Sequence, residues 1–293
     1  MICVAEKILA LGNIDKTTNI TKAGRETVFG GTTYTAITAR KLGLDATLLT
    51  RGNEELKDWL ATLQRMGIRT ILEPDKSTLT VTNDYSPEGE WVQRLLAKTG
   101  RIRFDIKEHF DIIHVNPLYQ EIDTEIIRRA RKQSKLLSLE VAGLVRQVRN
   151  GIVTGNFMKD RKEYFAGVDI IHFNERERKF ISKETMPRKI CEDIQSLGPR
   201  IVLYTVGANG SFILGSEFNE LPAFEVVEVD PTGAGDVFTT SFDARYFETA
   251  DEKVSGLFAT AAASFKIEDF GSRNIQTRER VEERAKMLIK EAR

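Results

Sequence analysis

Short apolar runs that read as buried strands alternate with longer segments of helical periodicity along most of this chain. That alternation limits its fold more than any other feature. KILALG, ending at Gly12, is followed by DATLLTRG, RTILE, DIIHVN, KLLSLEV, VDIIHFN and RIVLYTVG. Between the first two, GGTTYTAITARKLG carries Ala36, Ile37 and Leu42 before a stop at Gly43. EELKDWLATLQRMG sets Leu56, Trp59, Leu60 and Leu63 on one helical face and stops at Gly67. Further helical patterns cover 121–133, 157–165, 186–197, 234–247, 251–265 and 276–292. Apolar strands separated by helices predict a mostly parallel sheet with helices on both faces.

The alternation breaks in two places. The stretch from Gly12 to Gly30 is polar and threonine-rich, and TLTVTNDYSPEGEWVQRLLAKTG has two extended runs around Pro87-Glu88-Gly89, a hairpin signature. Residues of about 13–29 and 76–99 are therefore expected to form a small β lid inserted in a single α/β domain spanning 1–293. NGSFILGSEF reads as an antiparallel ribbon, and VVEVD as a strand running into the turn discussed next.

That turn is VEVDPTGAGDVFTTSF, residues 227–242. A helix N-terminus has free N–H groups and a partial positive charge, and glycines let the backbone approach a ligand closely. An anion, phosphate above all, suits such a place. Asp236, in the first turn of the following helix, is badly placed beside a phosphate unless it takes a proton from an attacking hydroxyl. Other phosphate and nucleophile motifs are missing. No Gly is followed by Lys, which excludes a P-loop; GAGDVF is not GxGxxG; and no G-x-S-x-G elbow occurs.

Composition narrows the setting. Lys plus Arg and Asp plus Glu each number 43, so no net field favours nucleic acid or an anionic membrane. The basic stretch RERKFISKETMPRK reads as a solvated helical surface. No apolar run approaches the length of a membrane span, and the N-terminal residues lack a signal-peptide pattern. Cys3 and Cys191 form no spacing framework and are expected as buried free thiols, which points to the cytoplasm. His109, His114 and His172 are scattered, without metal-ligand spacing.

DPTGAGDVF resembles the C-terminal signature of the ribokinase-like, or PfkB, carbohydrate kinases. Other stretches agree in order: Gly30-Gly31 with the family's di-glycine, Asn174-Glu175-Arg176-Glu177 with its N-x-x-E, and Thr205-Val206-Gly207 with Gly210 as its T-x-G-x-x-G. FATAAASFKIEDFGS resembles the segment that closes over adenine. The resemblance implies a three-layer α/β/α sandwich with a β lid, and transfer of the γ-phosphoryl group of ATP to an alcohol. It implies Asp236 as catalytic base and the N–H groups of Gly233, Ala234 and Gly235 as anion hole. Asn174, Glu177, Thr205, Gly207 and Gly210 would lie along ATP, Glu177 ordering Mg²⁺ through water. Asp230 and the loop near Ser272 match a region where many relatives hold a monovalent cation such as K⁺.

The substrate side departs from the family. Asp15 follows Gly12 by three residues where the family's carboxylate follows by about five, and Thr17 holds that spacing. Asp15 is favoured, because a carboxylate accepts two hydroxyls. Tyr34 stands where an asparagine is usual; it is expected either to face a substrate ring or to pack in the core. Glu140 replaces an aspartate common at a strand end, and Arg146 is either a phosphate contact or a surface arginine. Asn174 and Glu177 also fit a plain helix cap. The acceptor implied is a sugar, a cyclitol of the myo-inositol kind or a related polyol; a nucleoside kinase and a catalytically silent binding protein are the alternatives. An exposed edge of the lid sheet would invite a homodimer.

Overall fold

The computed structural model describes residues 5–85 and 92–291. The chain opens with β1 (Lys7–Gly12), β2 (Asp15–Thr21), β3 (Gly24–Phe29) and α1 (Thr32–Lys41). β4 (Asp45–Gly52), α2 (Lys57–Arg65), β5 (Arg69–Pro74), β6 (Leu79–Asp84) and β7 (Val92–Ala97) follow. The middle holds β8 (Phe110–Asn116), α3 (Thr124–Gln133), β9 (Ser134–Glu140), α4 (Ala142–Val145), β10 (Arg146–Arg149) and β11 (Ile152–Gly155). Next come α5 (Arg161–Phe165), β12 (Ile170–Asn174), α6 (Glu175–Ile181), α7 (Pro187–Gln195) and β13 (Ile201–Thr205). β14 (Ser211–Leu214), β15 (Phe218–Leu221), α8 (Ala234–Thr249), α9 (Glu252–Lys266) and α10 (Arg278–Glu291) complete it.

The main sheet has nine strands in the order β15-β14-β13-β12-β9-β8-β1-β4-β5. From β13 to β5 all pairs are parallel; β14 and β15 add an antiparallel ribbon at one edge. Successive side chains of a strand point to opposite faces, and here both faces are apolar. Ile8 and Ala10 of β1 join the core with residues of α1, α2, α8, α9 and α10, while Leu9 and Leu11 join the one with residues of α3, α5 and α7. Each fully buried leucine or isoleucine contributes about 1.5–3 kcal/mol. The fold is thus the three-layer α/β/α sandwich. Cys191 is free and buried in the second core, its thiol pushed up to about 12 by burial; Cys3 lies outside the described residues.

A second sheet has the order β10-β11-β7-β6-β2-β3. β2, β3, β6 and β7 come from the two polar breaks in the alternation; the Pro87-Glu88-Gly89 turn lies outside the described residues. β10 and β11 were not expected. They form a hairpin around Asn150 (φ 51°) and Gly151 (φ 76°), left-handed positions that suit an Asn-Gly turn. Two other expectations are corrected. VVEVD is no strand: Val227 is 79% exposed, and Val229 and Asp230 bond instead to the Ile267 carbonyl just after α9. The helix expected over 157–165 is confined to α5.

An amide ladder crosses the second sheet toward the main one. Gln93 Nε2 donates to Asn83 Oδ1 (2.6 Å), Asn83 Nδ2 to Asn19 Oδ1 (3.0 Å), and Asn19 Nδ2 to both carboxylate oxygens of Asp230 (3.2 Å each). The hydroxyls of Tyr85 and Thr232 lie 3.0 Å apart. The second sheet therefore rests on the turn that starts α8.

Candidate active site

The turn from Asp230 to Asp236 sits beyond the carboxyl ends of the parallel strands, where open α/β sheets bind ligands. Gly233 caps α8 at φ 84°, a left-handed conformation in which a Cβ would stand 2.4 Å from Tyr34 Cδ2. A Cβ on Gly235 would stand 2.9 Å from His172 Cε1. Glycine is needed at both positions so that the turn can lie against these rings. The Ala234 N–H closes the turn on the Pro231 carbonyl (3.2 Å). The Gly233 and Gly235 N–H groups have no acceptor among the described residues, and so remain for an anion.

Asp236 is half-buried, and Asn116, the last residue of β8, donates to its Oδ1 at 2.7 Å. Burial and then the negative charge of Glu140 push the Asp236 carboxyl up to about 7; the two imidazoles of His114 and His172 oppose the rise. A carboxylate titrating near neutral pH is suited to general-base work.

Beneath the turn lies a buried relay that sequence reasoning missed. His114 Nδ1 is 2.9 Å from Asp243 Oδ2, and its Nε2 is 3.7 Å from Glu140 Oε1. Glu140 Oε2 is 2.6 Å from His172 Nδ1, and His172 Nε2 is 3.0 Å from Thr205 Oγ1. Burial pulls both imidazoles toward neutrality, but the Asp243 and Glu140 carboxylates outweigh it and the net shift is upward. Burial likewise opposes ionisation of Glu140, and the charge of His172 prevails, so its carboxyl is lowered. A signal existed: His114 in DIIHVN, Glu140 in LLSLEV and His172 in IIHFN each follow buried apolar residues of an inner strand, where only a paired group is tolerated.

On the acceptor side Asp15 is buried at the start of β2. Thr17 Oγ1 donates to its Oδ2, while Oδ1 has no partner among the described residues. Thr17 thus positions Asp15. Gly30 and Gly31 make room for it, since a Cβ on Gly30 would fall 2.7 Å from Asp15 Oδ1. Burial raises the Asp15 carboxyl, and Thr17 and then Arg146 counter it. Arg146 is half-buried, its guanidinium 5.5 Å from the centre of the Tyr119 ring. Tyr34 is a correction: it is 0% exposed, wedged under Gly233, and offers no open face to a substrate ring.

On the opposite side Asn174 Oδ1 accepts from the N–H groups of Arg176 and Glu177, and Glu177 Oε2 accepts from the Asn174 N–H at 3.0 Å, a complete capping box. Thr205 ends β13 and is held by His172, and Gly207 (φ 53°) and Gly210 (φ 89°) bound the next turn. Among the described residues no cluster of three His, Cys, Asp or Glu could cage a metal. An Mg²⁺ ion there would be carried on phosphate oxygens rather than caged by side chains.

The sequence profile of the pfkB family of carbohydrate kinases matches residues 13–278. The chain belongs to that family. Membership places it among phosphotransferases with an alcohol group as acceptor. A nucleoside kinase of Methanothermobacter thermautotrophicus is 41% identical over 87 residues, a stretch covering 29% of this chain and 28% of that protein. A cytidine kinase of Thermococcus kodakarensis is 24% identical over 260 residues, 82% of this chain and 88% of the other. A ribokinase-family pyrophosphate-dependent kinase, solved with a pyrophosphate analogue and myo-inositol, superposes with a TM-score of 0.82 at 23% identity, over 94% of this chain and 98% of its own. This pfkB member has no helix, among the described residues, long and apolar enough to cross a membrane.

Proposed function

We propose that the chain transfers the γ-phosphoryl group of ATP to a hydroxyl of a sugar, a cyclitol of the myo-inositol kind or a related polyol. Asp236 takes the hydroxyl proton, and the N–H groups of Gly233 and Gly235 receive the negative charge that builds on the transferred group; the Ala234 N–H, expected to join them, is held by the Pro231 carbonyl. The observation that carries this reading is the pairing of a carboxylate raised to about 7 with unspent N–H donors one and three residues before it. The partnerless Oδ1 of Asp15 supports a polyol acceptor, because a buried acceptor atom gains most from a hydroxyl donor. The myo-inositol complex of the structural neighbour supports the cyclitol class. Mg²⁺ supplies charge neutralisation on the phosphates; Asn174, Glu177, Thr205, Gly207 and Gly210 border the nucleotide.

A second reading is supported by the named relatives: a nucleoside as acceptor. One assay separates them. ADP release is measured with Mg²⁺ across inositols, hexoses, pentoses, sugar acids and nucleosides, and phosphate release with pyrophosphate replacing ATP. Turnover confined to nucleosides would replace the first reading by the second, turnover with pyrophosphate alone would correct the donor, and none at all would leave a silent binding protein.

Leu96 and Ile152 are exposed on one face of the second sheet, at β7 and β11. They support a homodimer that covers this sheet, which sedimentation equilibrium of the purified protein tests.

A further inference from the structure

The monovalent cation that the fold family implies at Asp230 does not fit this chain, and we infer that the ammonium group of Lys266 stands in its place. Lys266 ends α9 and is 0% exposed. Lysine is almost never fully buried unless paired, and the pairing here is specific. Nζ lies 2.8 Å from the backbone carbonyl oxygen of Asp230 and 3.2 Å from its Oδ2, with the Tyr34 ring centre 5.4 Å away. A carbonyl and a carboxylate oxygen on one residue are the hard ligands a small cation would take, and the side chain supplies that cation covalently. A second cation held by the same oxygens would lie beside the ammonium and be repelled by its charge. The other donors around the Asp230 carboxylate, Asn19 Nδ2 and the N–H groups of Thr232 and Gly271, are already spent on it.

The position gives the charge a task. Lys266 holds the carbonyl of Asp230, and the next residue, Ile267, accepts from the N–H groups of Val229 and Asp230. The end of α9 therefore grips the first residues of the turn whose N–H groups meet the anion, and it places a fixed positive charge behind them. Burial lowers the Lys266 pKa, while Asp230, then Asp236 and Asp269, counter the fall. Lys266 touches no reacting atom; it is a positioning residue that acts through Asp230.

The inference rests on the 233–236 turn being the phosphoryl-transfer site, and the test keeps the two separate. Turnover and Tm are measured while KCl replaces choline chloride at constant ionic strength. The wild-type protein is expected to change in neither. Lys266→Met should lose turnover by about 10²-fold, the scale of a lost anion-hole contact. Lys266→Ala should recover most of its loss with K⁺ or ammonium and gain a K⁺-dependent Tm, as a protein does when its folded state binds a ligand. Activation of the wild type by K⁺, a Lys266→Met variant as active as wild type, or a folded Lys266→Ala variant that K⁺ does not restore would each overturn it. If no acceptor is phosphorylated, the functional reading fails, yet a wild-type Tm that rises with K⁺ still refutes the tethered cation and a flat one supports it.

Discussion

The side-chain amide of Asn116 donates to Asp236 Oδ1 across 2.7 Å, tying the end of β8 to the first turn of α8. It favours the ionised carboxylate, against burial and the charge of Glu140, which favour the neutral one.

That balance sets a pH profile. A general base works only when deprotonated, so kcat/KM, which reports the free enzyme, should fall as pH drops below about 7 and level off above it. Asn116→Ala removes a donor to the charged form and should move this acid limb upward by roughly one pH unit. A profile flat through neutral pH would contradict the assignment.

Asp236→Asn should fold normally and lose turnover by about 10² or more. It should also change stability in a pH-dependent way. Folding raises this carboxyl above its unfolded value, so its stabilising contribution is present at low pH and lost as pH rises through about 7. The variant should therefore exceed the wild-type Tm most at alkaline pH, with the gap closing toward acid, as calorimetry at several pH values would record.

Asp15→Ala should raise KM for the acceptor far more than KM for the nucleotide. Thr17→Val should have the smaller effect, because Thr17 acts through Asp15. Equal effects on both substrates would remove Asp15 from the acceptor side.

The two glycines of the turn should differ in stability cost. Gly233→Ala meets both a left-handed backbone, about 1–2 kcal/mol, and the Tyr34 ring at 2.4 Å. Gly235→Ala has ordinary helical geometry and meets one atom of His172 at 2.9 Å. Urea midpoints should fall further for the first.

The parallel sheet and its helices were legible because period-two and period-3.6 patterns are local and strong, and the GAGD turn because its chemistry is written in consecutive residues. The β10–β11 hairpin was legible in principle, from Asn150-Gly151 between short extended runs, but a four-residue strand carries little periodicity of its own. VVEVD misled because alternation alone does not supply a neighbouring strand to pair with. The Asp243–His114–Glu140–His172 relay and the Lys266–Asp230 pair join residues far apart in the chain. Glu140 and Asp230 stood out alone, but their partners His114, His172, Asp243 and Lys266 did not; only the sheet order and the packing of α8 and α9 bring them together. Tyr34 shows the reverse: an aromatic beside a di-glycine fitted two environments equally, and the approach of Gly233 decided for the core.

The amide ladder from Gln93 through Asn83 and Asn19 to Asp230 has a direction. Gln93 gives through its nitrogen, Asn83 and Asn19 each receive through the oxygen and give through the nitrogen, and the carboxylate at the end can only receive, so it fixes how all three amides lie. An amide in place of Asp230 could turn a donor toward Asn19 and upset the order of the amides behind it. Three strands and the turn thus share one inherited unit. Among close homologues, the residues at these positions are expected to change together or not at all.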